Sequence, residues 1–330
     1  MHRHTNFVLL MALAAATPAL GQNAAPAFGL TSSGVRSATS IPDFSGEWVY
    51  PFCCGFAPPA IGPGPVLNLS RLPQLFGANG LPLAADANVP LVGSFFQFIG
   101  DYTNPILKPA AADVVKKHGE IEGSGVPYST PRNQCWPEGI PFVLANMGMQ
   151  LLQQSDKVTI IYDHDHQVRH VRMNASHPAQ VAPSWYGDSV GRYDGDTLVI
   201  DTVGIKIGPF SMVDWYGTPY TNALHVVERY RFVEDEAAKE AEERAARELT
   251  RMPSRASGAS GLAIDPDYKG KALQLQFTVE DQGVFTMPWS ATIIYRRSFG
   301  EWPEFACAEN LRATYVDKDT EVPRADSPNF

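Results

Sequence analysis

The sequence predicts a mainly β protein whose antiparallel strands form a barrel or a strongly curved sheet, with a β-sandwich as the alternative. After Pro141, β-branched and aromatic residues alternate with polar ones, as in half-buried antiparallel strands. Six segments show this pattern: Lys157–Met173, Ser189–Tyr193, Thr197–Val203, Leu224–Val233, Ala272–Glu280 and Ser290–Ser298. No βαβ alternation accompanies them, so a parallel sheet is not expected.

The N-terminus has the three parts of a secretory signal. Basic residues at positions 2–4 precede an apolar run from Phe7 to Thr17, and small residues end at Gly21. We expect residues 1–21 to be cleaved and the mature protein to be periplasmic or secreted. The apolar run is about half the roughly 20 residues that a bilayer-spanning helix needs, and no later run is longer. No membrane span is therefore predicted.

The rest of the chain predicts one β-rich domain at 41–315, between a flexible lead-in at 22–40 and a flexible tail at 316–330. Its first third has a short strand signal at Phe44–Val49 and is then dense in Pro and Gly, so loops and short helices are expected, with Ala110–His118 the best helix candidate. Residues 234–261 form an insertion with a charged surface helix and a Ser/Gly/Ala hinge. A solvated excursion is expected, and a lid over the barrel mouth is the alternative.

The clearest hairpin signal is Tyr193-Asp194-Gly195-Asp196. An Asp-Gly pair suits a two-residue type I′ turn. If Asp194-Gly195 is that turn, Asp188 lies opposite Asp201, and two close carboxylates can share a proton or hold a cation.

Composition excludes one class of partner. The chain has 26 Lys and Arg against 35 Asp and Glu, a net charge of −9, and no basic cluster. Nucleic acid is therefore not an expected partner. The chain also lacks a phosphate loop and a Rossmann glycine signature, so we expect a small-molecule ligand or substrate and no cofactor.

Four cysteines in an exported chain are expected to be oxidised at least in part. Three connectivities are open, of which we favour Cys135 with Cys307. The adjacent Cys53 and Cys54 are then reduced, bonded to each other or bound to a metal.

The most unusual segment is Tyr162-Asp163-His164-Asp165-His166-Gln167-Val168-Arg169-His170. Strand alternation puts Tyr162 and the histidines on one face, with Arg169 on the other. We predict that His166 is a general acid or base, oriented by Asp201 or Glu228, in a cofactor-independent lyase, isomerase or hydrolase.

Other side chains are expected to contact the ligand, through rings or polar groups at a pocket. These candidates are Tyr162, His164, Arg169, Trp185, His225 and Trp289. One alternative function is a carrier that holds an apolar ligand in the barrel, and another is a metal enzyme that uses the His164-x-His166 pair. A further alternative is that these residues have no functional role and are ordinary polar residues of a solvated sheet face.

Several motifs taken together resemble a protein family. They are Pro42–Trp48, His166–Arg169, Trp185–Thr202 and Val227–Tyr230, of which the Gly191-Arg192-Tyr193-Asp194-Gly195-Asp196-Thr197-Leu198-Val199 hairpin is the most specific. They resemble exported bacterial proteins, without an assigned activity, that begin with Pro-Asp-x-Ser-Gly-x-Trp. The resemblance covers residues 41–50 and 135–310, and it implies a Cys135–Cys307 pair. Members often have His at the position of Asp188. The Gly46-x-Trp48 start is similar to the opening strand of lipocalins, which implies a lipocalin-like barrel.

Overall fold

The computed structural model describes residues 41–50, 55–69, 98–124, 128–145, 148–248, 263–265, 267–299, 304 and 306–307. Several predictions concern other parts of the chain. The signal at 1–21, the lead-in at 22–40, Cys53, Cys54, the hinge at 254–261 and the tail at 316–330 all lie outside the described residues.

Strands dominate the described residues. Ten strands and two α-helices follow in the order β1 (Gly46–Val49), α1 (Pro109–Gly123), β2 (Gly148–Gln153), β3 (Lys157–Tyr162), β4 (Val168–Met173), β5 (Asp188–Asp194), β6 (Thr197–Val203), β7 (His225–Val233), α2 (Asp235–Glu248), β8 (Ala263–Ile264), β9 (Ala272–Glu280) and β10 (Trp289–Phe299). Short 3₁₀ turns lie at Phe142–Ala145 and His164–His166. All six predicted strand segments are present, whereas β2 and β8 were not predicted.

The sheet closes on itself. Its order is β1-β2-β3-β4-β5-β6-β7-β9-β10, and β10 pairs back onto β1 with Trp48 opposite Arg297. β8 is a short addition to β10 outside this ring. The expected lipocalin-like barrel is therefore confirmed, and the β-sandwich alternative is wrong.

One pairing in the barrel is parallel. β4 and β5 run in the same direction with Arg172 opposite Val190, while every other pair in the ring is antiparallel. Parallel neighbours need a long crossover connection, which is the segment from Asn174 to Gly187. Because β4 and β5 begin at the same end of the barrel, the residues just before each strand are brought together there.

The β5–β6 hairpin forms where the sequence predicts it, but in another register. Asp194 pairs with Thr197, so the two turn residues are Gly195 and Asp196. Gly195 has φ +63° while Asp196 is not among the residues with positive φ, which fits a type II′ turn with Gly first. The predicted Asp188–Asp201 pairing is wrong, since Asp201 lies opposite Val190.

The predicted strand Lys157–Met173 is interrupted. β3 ends at Tyr162, the His164–His166 turn follows, and β4 begins at Val168. The turn shifts the alternation between the two strands. Tyr162 and Arg169 therefore both lie in the buried interior and His170 is exposed, so the predicted division of faces is wrong.

Side chains fill the barrel interior. Large rings from four strands are almost completely buried there, namely Tyr162, Tyr230, Phe277 and Tyr295. Trp289, predicted to contact ligand, is 1% exposed and packs against Phe56, Phe277 and Phe285. Its role in the structure is to form the core.

A buried ion pair crosses this interior. Arg169 of β4 donates from Nη1 to Glu228 Oε2 at 3.1 Å and from Nη2 to Glu228 Oε1 at 2.7 Å. Glu228 belongs to β7, so the pair spans the barrel across β5 and β6. The two side chains are at most 1% exposed, and such a charge must be paired to be tolerated.

Neighbouring hydroxyls complete the hydrogen bonding of this pair. Arg169 also donates to Ser189, Thr202 and Tyr162. The five N–H bonds of a guanidinium are thereby all used. Burial raises the pKa of Tyr162 to about 12, so its hydroxyl stays protonated.

The insertion helix α2 packs on the barrel wall. Its buried face consists of alanines that contact Val233, Ala272 and Ile294. Arg296 of β10 donates to Glu242 at 2.6 Å and to Asp235 at 2.7 Å. These ion pairs attach polar residues of the helix to β10. The described helix therefore covers the outer wall of the barrel.

The buried ion pair gives a test of the core. Replacing Arg169 by Met leaves the Glu228 carboxylate buried without its cation, so we expect a loss of about 3–5 kcal/mol in the free energy of unfolding. The double variant Arg169→Met/Glu228→Leu should recover most of that loss. Urea unfolding of the three proteins measures both effects, with Arg229→Met on the exposed side of β7 as the control. A loss below about 1 kcal/mol for Arg169→Met would contradict this account of the interior.

Candidate functional site

The His164–His166 turn is locally strained. Asp165 has φ +56° and His166 has φ +46°, which is uncommon for residues other than glycine. His164 is buried, Asp165 is exposed and His166 is partly exposed. Backbone strain of this kind is costly and is concentrated at functional sites.

A groove opens beside this turn. Its volume is about 380 Å³, within the range of roughly 300–1,000 Å³ that is typical of small-molecule sites. Its lining comes from three segments: the end of the crossover, the turn with the residue after it, and residues 135–137. The lining residues of this crossover groove are Cys135, Pro137, Asp165, Gln167, Ser184, Trp185 and Tyr186.

Buried polar groups lie next to the groove. His164 Nδ1 is 3.2 Å from Glu138 Oε1, and both side chains are at most 2% exposed. Burial and the charge of Arg132 lower the pKa of His164 to about 2, so its imidazole is neutral at physiological pH. Arg132 Nε lies 3.9 Å from the same Glu138 oxygen. The histidine is therefore a neutral, fixed element of the site.

Gln167 is held in one orientation. Its Oε1 accepts hydrogen bonds from the Tyr186 hydroxyl and from the Glu138 backbone N–H, the latter at 2.8 Å. Since that oxygen is occupied, the amide Nε2 is the end left to donate. Burial, followed by the charge of Glu138, raises the pKa of Tyr186 above its ordinary value.

The predicted disulfide is present beside the groove. Cys135 and Cys307 are bonded, with Cα atoms 5.5 Å apart and a sequence separation of 172. The Cys307 backbone N–H donates to Asp165 Oδ1 at 3.2 Å. The bond thus ties the distant residue 307 to the strained turn, and Cys135 has positive φ as well, at +51°.

Aromatic rings extend the groove wall. The ring centroids of Trp136 and Trp185 are 5.6 Å apart in a T-shaped arrangement, and Phe210 packs on Trp136 in the same way. Lys206 Nζ lies 4.8 Å from the centroid of the Trp185 ring. A methyl group on Gly208 would come within 2.6 Å of Trp185, so only glycine leaves room for this ring position.

A second polar cluster lies outside the groove, on the barrel wall. Its members, here called the histidine network, are Arg172, His177, Asp188, Asp201, His225 and Glu280. Asp201 Oδ1 accepts from His225 Nε2 at 3.0 Å and from His177 Nε2 at 3.1 Å. Asp188 binds His177 Nδ1 at 2.7 Å and also Arg172. The network joins the crossover, through His177, to β5, β6 and β7.

Charges within the network shift its pKa values. Burial would raise the pKa of Asp201, but hydrogen bonds from His225 and His177 hold it below its ordinary value. The pKa of Asp188 is lowered similarly, against burial, by His177 and Arg172. The hydrogen bond to Asp201 raises the pKa of His225.

The structure divides the predicted site residues among three places. Trp185 lines the groove, while His164 and His166 are neighbours of the lining residue Asp165 and do not line the groove themselves. Asp201 and His225 belong to the histidine network, while Glu228, Arg169 and Tyr162 belong to the interior. Neither carboxylate that was predicted to orient His166 lies in the groove; each has another partner.

Some residues in and beside the groove were missed by sequence reasoning. Glu138, Gln167 and Tyr186 meet only because of the crossover, so no local pattern indicates them. The turn that contains Asp165 could have been found from the length of the predicted strand. The segment from Lys157 to Met173 has 17 residues, whereas a strand usually has 3–10, so a turn within it is required.

Among the residues that the structure describes, no three His, Cys, Asp or Glu side chains converge in a way that could hold a metal ion. No helix in the described ranges is both long enough and apolar enough to cross a membrane. Comparison with known protein families, curated proteins and solved structures gives no match. The described residues form a closed β-barrel with a groove of about 380 Å³ at one end.

The histidine network gives a test based on pH. Because the folded pKa of His225 is raised, its contribution to stability is complete below the ordinary histidine pKa of about 6.5 and is lost as pH rises through the folded value. We expect His225→Gln to lower the free energy of unfolding by about 1 kcal/mol or less near pH 5.5, since the site is partly exposed. The difference should shrink above pH 7.

Urea unfolding at several pH values measures this difference. His170→Gln, on the exposed side of β4, controls for the loss of a histidine outside the network. A difference that grows with pH would contradict the assignment.

Proposed function

We propose that this protein is exported and acts on a small organic molecule in the crossover groove, through acid–base chemistry that needs no cofactor. The observation that carries the proposal is the strained Asp165-His166 turn, which opens onto a groove walled by aromatic rings. Strain at two consecutive residues costs a few kcal/mol, on the order of 1–3 for each, and persists only where the surroundings enforce it.

Asp165 is the proton-transfer group that the geometry favours. Asp165 lines the groove, and one of its carboxylate oxygens accepts a hydrogen bond from the Cys307 N–H. A positioned carboxylate can take a proton from a substrate and return it to another atom, which lyase, isomerase and hydrolase reactions all require. His166, the next residue, is a second candidate at the rim.

The groove is a better ligand site than the barrel interior. A carrier would need an apolar hollow, whereas fully buried rings and the Arg169–Glu228 pair occupy the centre of this barrel. A ligand there would have to displace groups whose hydrogen bonds are complete, at a large cost.

Two observations support export. The sequence of residues 1–21 has the pattern of a secretory signal, and the Cys135–Cys307 bond is of a kind that persists in oxidising compartments. The proposed location is the periplasm or the cell exterior.

The test is turnover by the mature protein. A panel of esters, lactones, hydroxy acids and glycosides is incubated with the protein, and products are followed by NMR. We expect Asp165→Asn to lower turnover by about 10²–10⁴-fold, the usual contribution of a general acid or base. Asn tolerates positive φ, so the turn should keep its shape.

Two further variants separate the roles. His166→Gln reports whether the rim histidine takes part, and Asp194→Asn at the far end of β5 is the matched control. Full turnover in both Asp165→Asn and His166→Gln would contradict the proposed mechanism. A compound that binds in the groove and is recovered unchanged would make this a binding protein instead.

A further inference from the structure

We infer that the substrate of the crossover groove is a neutral saccharide, whose hydroxyls bind Asp165 and Gln167 while its ring packs against the aromatic wall. This inference rests on the proposed function and names its substrate class. It follows from the hydrogen-bonding capacity left at the groove, the charge of its lining and the fixed position of its rings.

Gln167 supplies a donor. Both hydrogen bonds to its Oε1 come from the protein, from Tyr186 and from the Glu138 backbone. Among the residues described, none accepts from Gln167 Nε2, although Gln167 lines the groove. A ligand with an acceptor oxygen would take the hydrogen bond that Gln167 Nε2 can donate. An amide in a partly buried wall that uses only its oxygen favours such a ligand.

Asp165 supplies the acceptor. One of its oxygens takes the Cys307 N–H, and the carboxylate retains capacity for further donors. Asp165 is the only charged residue in the described lining of the groove. An anionic ligand would therefore meet repulsion from the one carboxylate in this lining, while a hydroxyl would donate a charge-assisted hydrogen bond to it.

The donor and the acceptor are two residues apart on one turn. A sugar hydroxyl both donates and accepts, and neighbouring hydroxyls on a ring present the two functions side by side. The Asp165 carboxylate and the Gln167 amide match that pattern. An alkyl or simple aryl compound would satisfy neither group.

The rings supply a flat apolar surface. The Trp185 ring is fixed by its T-shaped contact with Trp136 and by its close packing against Gly208. Tyr186 stacks over Tyr162 at 6.3 Å, so its position is also fixed. Rigid rings that carry one polar end suit ligands with an apolar face and a polar rim, and the C–H face of a pyranose has this character.

An organic cation is the competing ligand for rings beside a carboxylate. It is disfavoured here for two reasons. Lys206 already places an ammonium over the Trp185 ring. A quaternary amine also has no acceptor for Gln167 Nε2.

The experiment is a titration of the mature protein with named probes. Methyl glucoside, methyl galactoside, methyl mannoside, maltose and cellobiose are compared with tetramethylammonium and gluconate, and binding is followed by tryptophan fluorescence and ligand-observed NMR. We expect at least one neutral sugar to bind, and neither ion. Absence of binding by all five sugars, or preferential binding of tetramethylammonium, would overturn the inference.

Two substitutions locate the binding. Gln167→Glu keeps an oxygen that can accept from Tyr186 and replaces the amide donor by an anionic oxygen, so the Kd for the sugar should rise about tenfold or more. Asp165→Asn should weaken binding to a similar degree, and Asp194→Asn should not change it. Unchanged affinity in both groove variants would also overturn the inference.

The outcomes separate this inference from the proposed function. A sugar that binds in the groove without being converted supports the saccharide assignment and removes the catalytic one. If the protein converts a compound that is not a sugar, and Asp165→Asn abolishes this conversion, the catalytic assignment is supported and the saccharide assignment is removed.

Discussion

The parallel pairing of β4 with β5 is the constraint on which the site depends. Around a closed ring of strands, each antiparallel contact reverses direction, and the direction must return to its start after one circuit. A barrel of nine strands therefore cannot be antiparallel throughout, and here β4–β5 is the parallel pair. The chain must then cross from the end of β4 back to the start of β5. Trp185 and Tyr186 lie near the end of that crossing, which places them against the turn that precedes β4.

The polar groups of the barrel interior and those of the groove differ in how completely their hydrogen bonds are used. Arg169 and Glu228 lie at the centre of the barrel, and every N–H of the guanidinium has an acceptor. A network in which every donor is satisfied stabilises one arrangement of its side chains, and it has no N–H group left to bind a ligand. At the groove, the Gln167 amide uses its oxygen twice and offers its nitrogen. Unfinished hydrogen bonding at a concave surface is the property expected of a binding site.

Much of the barrel could be predicted from the sequence, because strand alternation is a local signal. The site could be predicted only in part. The turn at His164–His166 was hidden because its polar residues continue the period-two pattern of the flanking strands. The hairpin turn was predicted one residue too early, which shifts every cross-strand partner by two residues, because Asp194-Gly195 and Gly195-Asp196 are both acceptable turns. Contacts such as Tyr186 with Gln167 depend on the direction of β5 relative to β4, which neither strand encodes by itself.

The histidine network and the groove are joined by one segment. His177 lies in the crossover and binds Asp188 and Asp201 on the barrel wall. Further along, the Ser184 N–H donates to the Gly204 carbonyl at 3.1 Å. The crossover is therefore attached to the barrel at His177 and at Ser184. Between these two residues, Val181 packs over Gly204. Ion pairs at a partly exposed wall contribute little to overall stability, but they act here on the segment that positions Trp185. The histidines that are most conspicuous in the network therefore support the groove wall, while the groups that face the groove come from the turn.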